Sequence, residues 1–215
     1  MARNVERDAR EAERRRNQLI EAGFRLFSSK GIEIVSLQSV ADEAHVGIAT
    51  VYNYYKNKEN LLVAISAYMW RSVYDAAFEK LGEDTRDRMN AYQMLEYYID
   101  HIISIYHEHP EILKFSSDYK TYICRKGISG IGVEKQLSAL APLNNLFHEK
   151  YEKAKTDGSI RTDIPENQLF TTVAITMLGM SERYAQGLVW AMEDSNDYSR
   201  ELSYLKEMLL MWVKG

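Results

Sequence analysis

The chain has 215 residues, 46 % of them apolar and 27 % charged, and a formal net charge of −4. That composition supports one large packed domain or two small ones and excludes a disordered chain. A single cysteine, Cys124, excludes an intrachain disulfide and a Cys-based zinc site, and no apolar run nears the ~20 residues a membrane span needs.

The N-terminal stretch MARNVERDAREAERRR is charged throughout and lacks the apolar segment of a secretory signal. A cytoplasmic protein with no membrane partner is expected. The charge is uneven: residues 1–62 hold ten basic and nine acidic side chains, whereas residues 63–215 hold 17 and 22. A nucleic-acid binder of this balance has to place its cations locally. Arg14, Arg15 and Arg16, with Lys56 and Lys58, are the candidates.

A first helix is predicted from about residue 9 to Ser29, on the stripe of Ile20, Phe24 and Phe27 flanked by Leu19 and Leu26. Gly31 follows as a C-terminal glycine. Ser36 is a good N-cap for a second, short helix with Leu37, Val40, Ala41 and Ala44 on one face. After a short turn, IATVYNYY makes a third helix with Val51 and Tyr55 inward. Asn57 caps a fourth, whose buried face is Leu61, Leu62, Ile65, Tyr68 and Met69.

Further helices are predicted near 87–108, 110–123, 133–157, 166–192 and 197–213, with the fourth reaching 81. The glycine-containing stretch 125–135 reads as a loop. It is not a phosphate loop, because no Gly-Lys-Ser/Thr follows. Residues 156–167 read as a turn, with Pro165 as the first residue of the next helix. Strand signals are missing, so the fold class is all-α.

Two short helices joined by a tight turn and braced by longer ones make a helix-turn-helix unit. The second short helix is the expected reader, with Ile48, Ala49, Thr50, Tyr52 and Asn53 outward. Small residues at its start, Gly47 among them, let the backbone approach a duplex. Thr50 and the tyrosine hydroxyls can donate to phosphate oxygens, and methyl and ring atoms can touch thymine methyls. Lys58 adds an ammonium and backbone N–H groups at a helix start.

Residues 15–62 resemble the DNA-binding domain of the TetR family of bacterial transcriptional regulators. The resemblance rests on Ala22, Leu26, Phe27 and Gly31, on Ser36, Val40, Ala41, Ala44 and Val46, and on Thr50-Val51-Tyr52, Tyr54-Tyr55, Lys58-Glu59 and Leu61. It implies that Ser36, Thr50, Tyr52, Tyr54 and Lys58 hold phosphates and that Ile48 and Ala49 lie at the groove. Two positions depart from the pattern. His45 stands where the turn usually has Gly, which asks a histidine to take a positive φ. Gly47 stands where Ser or Thr usually caps the reader.

The expected organisation is an N-terminal arm and three-helix DNA-binding domain over 1–56, followed by a helical effector-binding and dimerisation domain over 57–215. Among the middle helices Trp70, Tyr74, Met94, Tyr97, Tyr98, His101, Phe115, Tyr119 and Tyr122, with Met177, are either core or lining of an amphipathic effector pocket, which the resemblance implies. Asp100, Asp118 and Glu182 offer charge to a cationic effector or belong to solvated faces. The last two helices carry long apolar faces. Val173, Met177, Met180, Tyr184, Leu188 and Met192 trace one; Leu202, Leu205, Leu209 and Trp212 trace the other. They suit a helix bundle. By resemblance they form a dimer interface, with Met180, Tyr184, Leu188, Leu202, Leu205, Leu209 and Trp212 at its centre; an intramolecular core is the competing reading.

The functional expectation is a ligand-responsive transcriptional regulator: a homodimeric repressor released from a palindromic double-stranded operator by a small, partly apolar or aromatic effector. The alternative is a helical small-molecule-binding or scaffold protein with a degenerate reader. The two histidines of HEHP (107–110) face apart on a helix, and no HExxH, GxSxG or dinucleotide fingerprint occurs. No enzyme activity, cofactor or metal is expected.

Overall fold

The computed structural model describes residues 2–128, 145–189 and 197–214, apart from the side chains of residues 2–6, 8 and 78. These residues form helices without strands. In chain order they are α1 (Ala2–Lys30), α2 (Leu37–Glu43), α3 (Ile48–Tyr55), α4 (Lys58–Leu81), α5 (Glu83–Arg88), α6 (Ala91–Glu108) and α7 (Pro110–Arg125). Then come α8 (145–157), α9 (Glu166–Ala185) and α10 (Ser199–Lys214).

The chain divides into two compact units. The first takes residues 1–71 and the stretch beginning at Asp118; the second takes 72–117 and the chain from α8 onward. Helices α4 and α7 therefore each contribute to both. The expected boundary after residue 56 falls inside the first unit.

In the first unit, Leu19, Ala22, Phe27, Val40, Ala41, Val51, Leu61, Leu62 and Ile65 are all but fully buried. Each such large side chain contributes about 1.5–3 kcal/mol by leaving water. Helices α1 and α4 approach closely at Gly23, where an added Cβ would lie 2.7 Å from Ile65 Cδ1. A side chain there would have to displace the end of Ile65. Helix α1 begins at Ala2, seven residues before the expected start. The extra turns have no apolar stripe. Alanine, glutamate and arginine are good helix formers, and Arg15–Glu11 and Arg16–Glu13 ion pairs lace the surface.

In the second unit the core runs along α6, the start of α7, α8, α9 and α10 through Leu95, Ile99, Ile102, Leu113, Phe147, Leu169, Val173, Met177, Leu202 and Val213. Asn90 and Gln93 close a capping box at the start of α6. Lys150 is buried, and its ammonium donates to the Asp87 carbonyl at 2.7 Å, satisfying an acceptor near the end of α5.

Three expectations are corrected. Helix α9 ends at Ala185, not 192. Gly187 has φ +69°, and the Leu188 N–H to Arg183 carbonyl and Gly187 N–H to Tyr184 carbonyl bonds form a Schellman stop. Leu188 is therefore past the helix, while Met192 lies outside the described residues. Pro165 is the N-cap of α9 rather than its first residue; its carbonyl accepts from the N–H groups of Gln168 and Leu169. The helix expected from 87 begins instead at Ala91, after the Asn90 cap, and a separate short helix, α5, precedes it over Glu83–Arg88. The glycine loop beyond 128 and the expected start of α8 lie outside the described residues.

Candidate nucleic-acid interface

The reader is built as follows. Ser36 starts α2, its hydroxyl accepting from the Ser39 N–H at 3.1 Å, while Val40, Ala41 and Ala44 bury the helix's inner face. The turn into α3 passes through His45 at φ 54°, a left-handed conformation usually left to glycine. Gly47 then caps α3 without a side-chain bond. Val51 and Tyr55 anchor α3 inward, and the Tyr55 hydroxyl donates to the Arg16 carbonyl at 3.4 Å. Burial pushes the Tyr55 phenol up to about 12.

On the other side of α3 the sequence-derived residues emerge together. Gly47, Ala49, Tyr52 and Asn53 are exposed, Tyr52 at 52 %; Ile48, Thr50 and Tyr54 are half-buried. Tyr54 is held from behind, with the Arg16 guanidinium 5.7 Å from its ring centre. The α3 surface therefore offers methyls, one threonine hydroxyl and the exposed phenol of Tyr52 on one rigid turn.

Asn57 caps α4 by accepting from the Asn60 N–H at 2.8 Å, satisfying one of the N–H groups that α4's first turn leaves without a helical partner. Lys58 opens that helix, but its ammonium is folded back, 5.7 Å from the Phe27 ring centre and 5.8 Å from that of Tyr122. Partial burial holds its pKa below the usual lysine range. Glu59, next in line, accepts from the Tyr122 hydroxyl at 2.9 Å. Lys126 lies 5.6 Å from the same ring. The phenol of Tyr122 is pushed up to about 12 by burial and by the Glu59 carboxylate. Sequence reasoning missed this knot: Glu59 and Tyr122 are 63 residues apart and share no local pattern.

The expected effector residues separate. Tyr74, Met94, Tyr97, Tyr98 and His101 line one cavity with Ala77 and Leu81, about 20 Å3 in volume. That space admits a single water. The Tyr74 and Tyr98 rings stack with centroids 6.5 Å apart and hydroxyls at 3.3 Å. Tyr97 donates to the Ala77 carbonyl at 2.8 Å. His101 Nε2 lies 3.2 Å from the Val73 carbonyl, so the proton sits on Nε2. Met177 and Phe115 are fully buried in the second unit, away from the residues that line this cavity. Trp70, Tyr119 and Tyr122 belong to the first unit. Of the three acids, Asp100 is exposed and pairs with Lys206 at 2.6 Å. Glu182 is buried and accepts from Ser116 Oγ at 2.7 Å, correcting its placement on a solvated face.

The presumed dimer residues divide as well. Leu202 and Leu209 lie in the chain's own core, with Met180, Tyr184, Leu205 and Trp212 packed partly against it. The solvent-facing apolar side chains of these helices are Ile175 on α9 and Tyr204, Met208 and Met211 on α10. Leu188 is also exposed, but in the segment after α9.

Residues 19–65 match the family model of bacterial regulatory proteins of the tetR family. Residues 19–65 are a TetR-family DNA-binding domain. An HTH-type transcriptional regulator of Staphylococcus aureus is 22 % identical over 165 residues, 77 % of this chain and 80 % of that protein. The nicotine-responsive repressor HdnoR of Paenarthrobacter nicotinovorans is 40 % identical over 53 residues, 25 % of this chain and 27 % of that one. The higher identity is thus confined to a stretch about a quarter of each chain long. Among solved structures, the fatty acid degradation regulator FadR of Bacillus halodurans aligns with a TM-score of 0.67 at 15 % identity, covering 91 % of this chain and 94 % of that one. This last likeness is one of fold. The TetR-family helix-turn-helix makes the chain a DNA-binding transcriptional regulator.

Proposed function

We propose that this TetR-family regulator is a cytoplasmic, homodimeric repressor, without enzymatic activity, that leaves a palindromic operator when a small, partly apolar or aromatic effector binds. The observation that carries the DNA-contact assignment is the one face of α3 on which exposed Ala49, Tyr52 and Asn53 lie with half-buried Thr50, followed in the chain by the capped start of α4. Ile48 and Ala49 face the groove. Ser36, Thr50, Tyr52, Tyr54 and the α4 N-terminus hold phosphates. Lys58 joins them by swinging its ammonium off the two rings. Gly47 supports the reading by leaving the backbone bare where the duplex comes closest.

The effector enters at the Tyr74–Tyr98 stack. A cavity of about 20 Å3 holds no organic molecule, whereas ligand pockets run to about 300–1,000 Å3, so binding has to part the helices that close it. Tyr97 and His101 grip α4 by its own carbonyls, and α4 is one helix from Lys58 to Leu81. An effector that shifts α4 changes the setting of the reader, and operator and effector then oppose each other reciprocally. The names of the relatives point to different ligand chemistries, nicotine response in one and fatty acid degradation in another, so the effector class is argued from this chain's tyrosines. A dimer sets two readers about 34 Å apart, one DNA turn.

The test is operator affinity of Tyr52→Ala and Lys58→Ala. Each is expected to weaken binding by about tenfold or more, about 1.4 kcal/mol. Unchanged affinity in both contradicts the docking. Retained effector binding with no sequence-specific DNA binding by the parent protein would favour a binding protein with a degenerate reader.

A further inference from the structure

Helix α1 does not stop where the DNA-binding core stops. Its first buried residue in the apolar stripe is Leu19, yet the helix begins at Ala2. On this extension Arg7, Arg10 and Arg14 are exposed and spaced i, i+3, i+7, so they share one face. Two acidic neighbours are occupied: Glu11 pairs with Arg15 and Glu13 with Arg16 at 3.0 Å. Among the described residues, no carboxylate forms an ion pair with Arg7, Arg10 or Arg14. A chain of net charge −4 thus carries three exposed guanidinium groups along one face of a helix, without an ion pair among the described residues.

The helix is fixed to the reader. Arg16, where the extension begins, stacks on Tyr54 near the end of α3, and its carbonyl accepts from Tyr55. From there the helix continues toward its start at Ala2. Arg7 and Arg14 are about 10 Å apart along it at 1.5 Å per residue. Over that length one DNA strand carries about three phosphates. We infer that the Arg7–Arg10–Arg14 face of α1 is a second DNA contact, which takes the phosphate backbone of the duplex flanking the site read by α3. The inference rests on the DNA-binding reading above. Its partner is chosen by charge complementarity: guanidinium groups without apolar company on their face suit phosphates, not a hydrophobic groove.

The experiment uses the full chain and a duplex recovered by selection from a random library, in two lengths. One ends at the recovered palindrome; the other has about 10.5 bp, one further turn, at each end. Affinity is measured across a salt series for the parent protein, for Arg7→Ala/Arg10→Ala/Arg14→Ala, and for the corresponding triple lysine variant. All three positions are exposed and helical, so circular dichroism and affinity for the short duplex verify the fold. The parent is expected to bind the long duplex at least tenfold tighter than the short one. The alanine variant loses that gain, and its salt slope falls by about 2–3 per chain, since each released phosphate contributes about 0.9. The lysine variant keeps most of the gain.

Equal gain in the parent and the alanine variant overturns the inference and leaves the reader assignment standing. So does no gain from the flanks, or a lysine variant as poor as the alanine one. Arginine-dependent binding to phosphatidylserine vesicles without any flank effect would reassign the face to lipid and overturn it too. If the parent protein binds no duplex in any salt-dependent way, the DNA-binding reading itself falls.

Discussion

At His45, as at Lys56, the local rule and the fold disagree. At φ 54° His45 occupies a region that costs most L-residues about 1–2 kcal/mol relative to glycine, offset in part by glycine's larger entropy when unfolded. His45→Gly is therefore expected to be neutral or to stabilise by up to about 1 kcal/mol, whereas a β-branched His45→Val destabilises by at least about 1 kcal/mol. Urea unfolding midpoints of the two variants decide it; equal midpoints contradict the assigned strain. Tyr55 and Tyr122 give a second, pH-dependent expectation. Their phenols ionise near 12 in the folded chain against about 10 unfolded. The stability tied to the raised values is complete below pH 10 and is lost as pH climbs from 10 to 12. Alkaline difference spectra of the folded protein should show tyrosine ionisation delayed relative to the urea-unfolded chain. His101 shows the opposite sign at the acid end. Burial depresses its pKa, so the folded state resists its protonation and loses stability as pH falls below the unfolded value of about 6.5.

At the level of elements, the close approach of α1 and α4 depends on Gly23. Gly23→Val forces a Cβ into Ile65, and such overpacking costs about 1–3 kcal/mol; an unchanged melting temperature would contradict the packing. The Tyr122–Glu59 bond ties the end of α7 to the start of α4. Tyr122→Phe removes a hydrogen bond to a charged acceptor, and with Glu59 half-open to water the cost is about 1 kcal/mol. Its sharper signature is an altered effector-linked change in DNA affinity, measured by titrating operator with and without effector.

What the sequence showed and what it hid divides along the same line. The short helices, the Ser36 and Asn57 caps and the inward Val51 and Tyr55 were legible because caps and helical periodicity act within a few residues. The Gly187 stop of α9 was also local, but the apolar face running on through Leu188 masked it. The knot of Lys58, Glu59 and Tyr122, and the burial of Lys150 and Glu182, rest on partners 60 or so residues away. Their side chains carry no periodic signal. The tyrosine-rich middle looked like a pocket; five of its residues do share one cavity, but the packing closes it almost completely.

For the whole molecule, the apolar side chains that α9 and α10 leave in water suggest a second copy as partner. Met211 is 75 % exposed and Met208 67 %, with Tyr204 one turn further. Isolated exposed apolar residues are ordinary, but a stripe along one helix is the kind of surface a partner covers. Met208→Asp/Met211→Asp is expected to shift sedimentation from dimer to monomer and to weaken operator binding, while the monomer stays folded; a variant that remains dimeric contradicts the face. Localised cations on an acidic chain also imply that DNA binding falls steeply with salt. Reading of a two-fold operator by α3 and the start of α4 is tested by selecting the 215-residue chain against a random duplex library at moderate salt. A recovered palindrome with half-sites about one turn apart, lost in Tyr52→Ala, is the predicted result. Recovery of no common sequence would contradict it.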